Sequence, residues 1–141
     1  MSAYADTSFL VSLYTMDANS RRASELMLKA IDALPYTTFH RLELRNAIRL
    51  RAARIEIDWP TAHAAIRQID EDLRDGILLH TPASWTEICR TADELSERFP
   101  GCRTLDLIHV ATAATLGFTD FFTFDVRQAQ LARKTALKIR P

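Results

Sequence analysis

The chain has 141 residues, of which 48% are apolar and 26% charged, and its formal net charge is zero. This length fits one domain of ordinary size, and the composition is too apolar for a disordered chain. No run reaches the roughly 18 uninterrupted apolar residues of a membrane span, and a neutral balance argues against a generic nucleic-acid binder with an overall basic surface.

The N-terminal stretch, from Met1 to Tyr14, lacks the basic start and long apolar run of a signal peptide. A cytoplasmic protein is therefore expected. Ala3 to Ala5 reads as a short strand ending at Asp6. Ser8 suits a helix N-cap, with Phe9, Leu10, Val11, Leu13 and Tyr14 forming a mostly apolar first helix. After a polar break at Asp17 to Ser20, helical spacing runs from Arg21 to Ala33 through Ala23, Leu26, Met27, Ala30 and Ile31. Pro35 stops that helix, and Tyr36, Thr37 and Thr38 read as a second strand on β-branched and aromatic content.

A long helix follows, from Phe39 or His40 to Ile55. The next starts at Pro60 or Thr61 and runs to Arg74, with Ala62, Ala65, Ile66, Ile69 and Leu73 on one face. Residues 39–74 are read as a helical arm beside the sheet. Ile77, Leu78 and Leu79 form a buried-strand run. Ala83 to Phe99 is helical, with Trp85, Ile88, Cys89, Ala92, Leu95 and Phe99 as its apolar stripe. Thr104 N-caps a helix through Leu116, and Gly117 closes it. Phe121 to Phe124 is a strand, Val126 to Lys134 a short helix, and Leu137 to Ile139 a last strand. Alternating strands and helices predict a single α/β domain over residues 1–141, a sandwich around a mainly parallel sheet.

Four acids fall at the strand-to-helix junctions: Asp6, Glu43, Asp106 and Asp125. Open parallel sheets bind ligands outside the carboxyl ends of their strands. Carboxylates gathered there repel one another, and a hard divalent cation such as Mg²⁺ or Mn²⁺ removes that cost. Such a site suits metal-assisted hydrolysis of phosphate esters. Each acid also has a plain structural reading. Asp6 can cap a helix, although Ser8 already fits that role. Glu43 and Asp106 can be first-turn partners of a helix dipole, and Asp125 a strand-end turn or cap. By period 2, Thr123 shares the side-chain direction of Asp125. His109 lies one turn beyond Asp106 and reads first as a packed core histidine, with a supporting role at the site as the alternative.

Five arginines, Arg41, Arg45, Arg49, Arg51 and Arg54, concentrate in one segment, so a basic face can sit beside an acidic cleft. Helical phase puts Arg54 on the side of Glu43, with Arg41 and Arg45 largely opposite. Arg54 and Arg103, the latter three residues before Asp106, are candidates for phosphate contact, with plain surface arginines as the alternative. Asp70, Glu71 and Asp72 read as a solvated helix face. Cys89 and Cys102 lack the CxxC spacing of a zinc or redox motif and read as reduced apolar fillers.

Taken together, YADTSFLVSLY, the acid in FHRLELRNAI, the run RTLDLIHVATA and FFTFDVRQAQLA resemble the PIN domain family, and within it the VapC-type ribonuclease toxins. The resemblance covers essentially the whole chain. It implies a Rossmann-like α/β/α domain that cleaves RNA with Mg²⁺ or Mn²⁺. The metal-binding and catalytic acids would be Asp6, Glu43, Asp106 and Asp125. Thr123 would support Asp125, and Thr7 or Ser8 would be the hydroxyl following Asp6. It further implies a homodimer silenced by a cognate antitoxin. The chain departs from the family pattern near its end, where Leu131 to Leu137 contains no Gly before the last strand.

Two other metal-using folds fit poorly. A response-regulator domain needs paired acids after the first strand, and a dehalogenase-like phosphatase needs Asp-x-Asp, where this chain has Ser8. The alternative from a different class is a non-catalytic PIN-like module that binds RNA or protein. Retention of all four acids favours the enzyme.

Overall fold

The computed structural model describes residues 2–30 and 32–141. Its elements run β1 (Ala3–Ala5), α1 (Thr7–Tyr14), α2 (Ser20–Lys29), β2 (Leu34–Tyr36), α3 (Thr38–Ala53), α4 (Trp59–Arg74), β3 (Leu78–His80), α5 (Trp85–Arg98), α6 (Thr104–Thr115), β4 (Asp120–Phe122), α7 (Val126–Ala132) and β5 (Lys138–Arg140). All observed strand pairs are parallel. The order β1-β4-β5 forms one sheet and β2-β3 the other. β1 and β2 lie next to each other, so the two sheets together form the middle layer.

Alternation along three-residue strands sorts the core into two layers. Ala3, Ala5 and Phe122 face Phe9, Leu10, Leu44, Ile48 and Ile69, under α1, α3 and α4. Tyr4 and Phe121 face Ile88, Leu95, Val110 and Leu131, under α5, α6 and α7. Both faces of the strands are covered, which is why Tyr4, Phe121 and Phe122 are fully buried. Residues 39–74, expected as an arm, instead supply Leu44, Ile48, Ala52, Ala62, Ala65, Ile66 and Ile69 to the same core as β1.

Several boundaries differ from expectation for identifiable reasons. α2 ends at Lys29, six residues before Pro35, and Pro35 sits inside β2, where its partner is Leu79. Ile31, placed on the α2 face by its spacing, lies outside the described residues. Thr37 is not in a strand but caps α3, accepting from the His40 N–H while the His40 ring accepts from the Thr37 N–H, a capping box. α3 stops at Ala53, and Ile55 adopts φ 61°, the left-handed turn that closes a helix. Gly117 has φ 75° just past α6, as expected of a helix-closing glycine.

β3 is an edge, and Leu79 is 59% exposed, so the expected buried run is buried only at Leu78. Trp85, at the first position of α5, is also exposed, and so is Cys89. β4 covers Asp120–Phe122, leaving Thr123 to reach Asp6 while the Phe124 ring stacks on Phe9. Asp72, read as solvated, is buried and accepts hydrogen bonds from Tyr14 Oη (2.6 Å) and Gln68 Nε2 (2.8 Å). Asp70 pairs with Arg45. Among the described residues, no helix is long and apolar enough to cross a membrane.

Candidate active site

At the carboxyl ends of β1 and β4 the chain must leave a buried sheet, and it does so through Asp6 and Thr123. The Asp6 N–H donates to Phe122 O (3.0 Å), which fixes the exit of β1 against β4. The Asp6 carboxylate then caps α1. Its Oδ1 accepts from the Phe9 N–H (3.0 Å) and from Ser8 Oγ (2.7 Å), and its Oδ2 from Thr123 Oγ1 (2.5 Å). Capping by Asp6 corrects the expectation that Ser8 caps this helix. Ser8 instead accepts the Phe124 N–H (3.0 Å) and ties the two strand ends together. Only 2% of Asp6 is exposed. Burial raises its carboxyl above the ordinary range, against the opposing pull of His109 and the hydrogen bonds of Thr123, Ser8 and Phe9.

Thr123 joins two acids rather than supporting Asp125 alone. Its hydroxyl donates to Asp6 and accepts the Asp125 N–H (3.0 Å). Asp125 caps α7 through the Gln128 N–H (3.0 Å). Buried Gln128, which sequence reasoning missed, donates its amide to Asp106 O (2.8 Å) and locks α7 to α6. Its signal was present: it stands three residues after a capping acid, where the backbone N–H is bound and the side chain points inward.

Glu43 projects from α3 and reaches two donors. Thr7 Oγ1 donates to Glu43 Oε1, and His109 Nε2 lies 2.6 Å from the same oxygen. His109 Nδ1 lies 2.7 Å from Tyr4 Oη. With Nε2–H donating to Glu43, Nδ1 is left to the Tyr4 hydroxyl, an assignment made from the partners. Burial holds the Tyr4 hydroxyl protonated, since it raises that group well above its ordinary value. Burial also pushes Glu43 upward, but His109, Thr7 and His40 outweigh it and the net shift is downward. His109 is thus both a packed core histidine and the partner of a site acid.

Asp106 sits in the first turn of α6. Thr104 does not cap that helix; Arg103 takes the cap position without a side-chain bond. Its guanidinium instead spans two acids. Arg103 Nε lies 2.8 Å from Asp106 Oδ2, and Nη2 lies 3.3 Å from Asp106 Oδ1 and 3.3 Å from Asp125 Oδ2. Arg54, the other arginine expected at a phosphate, is exposed at the end of α3 and does not line the cleft.

Asp6, Glu43, Asp106 and Asp125 line one cleft of about 320 Å³, together with Thr7, Ser8, Arg103 and His109. Among the described residues, no three His, Cys, Asp or Glu side chains converge on a common point as a metal cage. Their oxygens turn to hydroxyls, to His109 and to Arg103. The donor chemistry fits a hard cation, since four carboxylates from four separate elements face one space. Arg103 already supplies positive charge between Asp106 and Asp125, so coordination there requires its guanidinium to swing aside.

The fold has solved counterparts. VapC20 of Mycobacterium tuberculosis, described as a sarcin-ricin loop cleaving toxin, is 19% identical, with a TM-score of 0.71 over 99% of this chain and 100% of that one. PAE2754 of Pyrobaculum aerophilum is 19% identical, with a TM-score of 0.64 over 99% and 83%. FitAcB of Neisseria gonorrhoeae is 14% identical, with a TM-score of 0.61 over 97% and 95%. Among curated proteins, none matches the sequence. The PIN domain model matches residues 3–134, which spans every site residue described above, and the chain belongs to the PIN domain family.

Proposed function

We propose that this protein is a metal-dependent endoribonuclease, the toxin of a type II toxin–antitoxin pair. The observation that carries the reading is the shared cleft: Asp6 after β1, Glu43 on α3, Asp106 on α6 and Asp125 after β4. Gathering four acids in one cleft costs electrostatic repulsion beyond what their caps and ion pairs require, whereas phosphodiester hydrolysis uses them. Mg²⁺ or Mn²⁺ held by these carboxylates would supply Lewis acidity and a water of lowered pKa. The chain's own residues do the rest. Thr123 and Ser8 fix both oxygens of Asp6, Tyr4 and His109 orient Glu43, and Arg103 offers a guanidinium fork to a phosphate oxygen.

Structured RNA with an unpaired loop is the substrate class, because unstacked bases and a bent backbone can enter such a cleft. The likeness to VapC20 supports that choice. In this reading the protein works in the cytoplasm as a homodimer and is silenced by an antitoxin. Exposed Leu42, Leu79 and Trp85 offer apolar area for such contacts. The rival reading, a binding module without catalysis, has no lost acid to support it.

The test is cleavage of a mixed RNA pool by the purified chain with Mn²⁺ or Mg²⁺, beside EDTA and an Asp106→Asn variant. Cleavage that disappears in both controls is expected. Cleavage that persists in EDTA would remove the metal from the reading, and binding without cleavage would favour the module.

His109 acts through Glu43, so its role separates from packing by rescue. His109→Ala is expected to weaken Mn²⁺ binding and kcat/KM by about 10- to 100-fold, the usual cost of losing a partner that orients a ligand. His109→Gln, which keeps an N–H near Nε2, is expected to recover most of both. Calorimetry and kinetics on folded variants decide it; equal loss in Ala and Gln would leave His109 as a packing residue.

A further inference from the structure

Beside the catalytic cleft lies a second cavity, of about 270 Å³, whose wall includes Cys102, Arg103, Asp106, Arg127, Gln130 and Lys134. Arg103 and Asp106 line both spaces, so the second adjoins the first across these two side chains. Its chemistry is the reverse of the cleft's. Arg127 and Gln130 project from α7, and Lys134 follows in the next turn. Arg127 and Gln130 lie three apart on α7, and Lys134, in the turn beyond its end, lines the same wall. Arg103 is already engaged by Asp106 and Asp125. Arg127 and Lys134 meet no carboxylate among the described residues; Lys134 Nζ instead lies over the Phe99 ring, 5.2 Å from its centroid. Two cations without acid partners among the described residues thus line one concave bay, and Gln130 adds a hydrogen-bond donor.

We infer that this bay is a phosphate subsite, which holds the RNA backbone next to the bond being cut. The inference rests on the ribonuclease reading and deepens it. A cleft lined by four acids repels a polyanion along its approach. Cations just beyond its rim offset that repulsion and fix which stretch of backbone lies over the acids. An RNA phosphate suits the bay better than an acidic peptide, because the bay adjoins the cleft of the proposed catalytic acids, sharing Arg103 and Asp106 with it. A single strand can occupy both at once.

The experiment measures fluorescence anisotropy of a labelled, mixed-sequence RNA pool on the full-length Asp6→Asn chain with Mg²⁺, at several salt concentrations. Adding Arg127→Ala and Lys134→Ala is expected to weaken binding by about 10-fold or more. The slope of log affinity against log salt should become shallower by about 1.4, two released counterions on a single strand. A control pair of equal charge, Arg41→Ala and Arg49→Ala on α3, should move affinity by less than about 2-fold, because those residues lie away from the bay. Equal effects from the two pairs would reduce the bay to general electrostatics and overturn the inference. Cleavage by the chain with Asp6 intact, run in parallel, separates the two readings. An active nuclease whose binding ignores Arg127 and Lys134 overturns the bay alone, whereas a chain that neither binds nor cuts RNA overturns both.

Discussion

Asp6→Asn is expected to remove RNA cleavage by at least about 10³-fold, the scale set by several kcal/mol of charge stabilisation at the metal, while leaving the protein as stable as before or more so. The two halves of this expectation share one cause. Asp6 is buried at the end of β1, and burial raises its carboxyl above the ordinary value. A group whose folded pKa is raised contributes stability that is fully present below its unfolded pKa and is lost as pH rises through the folded value. At neutral pH without metal, the ionised Asp6 therefore costs stability, as groups at functional sites commonly do. Asn removes the charge and still caps α1 through its carbonyl. Thermal melts in EDTA should show the variant gaining at neutral pH and the gain vanishing below the ordinary carboxylate range. A folded variant that cuts at the wild-type rate would sink the assignment of Asp6.

The second large effect is acid sensitivity carried by His40. This ring is fully buried between Tyr4 (4.8 Å) and Tyr36 (6.0 Å). Its Nδ1 accepts the Thr37 N–H (3.1 Å), so Nε2–H donates to Ala5 O (2.9 Å). Burial, with a smaller contribution from His109, pushes its pKa down from 6.5 to about 3. The neutral ring is favoured in the fold and the charged one in the unfolded chain. Stability is therefore present above the unfolded pKa and falls as pH drops from about 6.5 toward 3, at up to roughly 1.4 kcal/mol per pH unit. Between pH 6.5 and 4 the loss is about 3 kcal/mol, a large part of a domain's stability. His40→Gln keeps a Thr-x-x-Gln capping box but cannot titrate. It should lower stability at neutral pH through lost ring packing and flatten the slope below pH 6.5. Denaturant titrations at a series of pH values check this; an unchanged slope in the variant would assign the acid loss elsewhere.

His40 also shows how the fold and the site are joined. It holds the start of α3 against the end of β1, and Glu43 follows on the same helix within one turn. A loosened His40 moves Glu43 relative to Asp6. The acid-induced loss should therefore reach activity before global unfolding.

Much of the architecture was legible because it depends on local rules. Alternating apolar strands and amphipathic helices announced the parallel sandwich, and the four-motif resemblance gave the family. The errors cluster where short-range signals compete. Ser8 is a good capping residue, but Asp6 lies one residue before the helix with Thr123 beneath it, and the buried acid takes the cap. Pro35 is a helix breaker by rule, yet α2 had already ended and Pro35 falls in β2. Leu79 and Trp85 are apolar by type and exposed by position, since β3 is an edge and Trp85 begins its helix.

The sequence by itself determined the class of fold and singled out the four acids that line one cleft. These follow from residue type and from position after a strand, which the chain carries locally. Tertiary structure alone decided the partners: Thr123 bridging Asp6 and Asp125, Tyr4 and His109 behind Glu43, Arg103 between Asp106 and Asp125, and the basic bay beyond it. Tyr4 and His109 are 105 residues apart, and Thr123 and Asp6 117. Periodicity reaches only a few turns along the chain. Contacts at that separation exist because β1 pairs with β4 and α6 packs beneath them, a consequence of folding that no local pattern encodes.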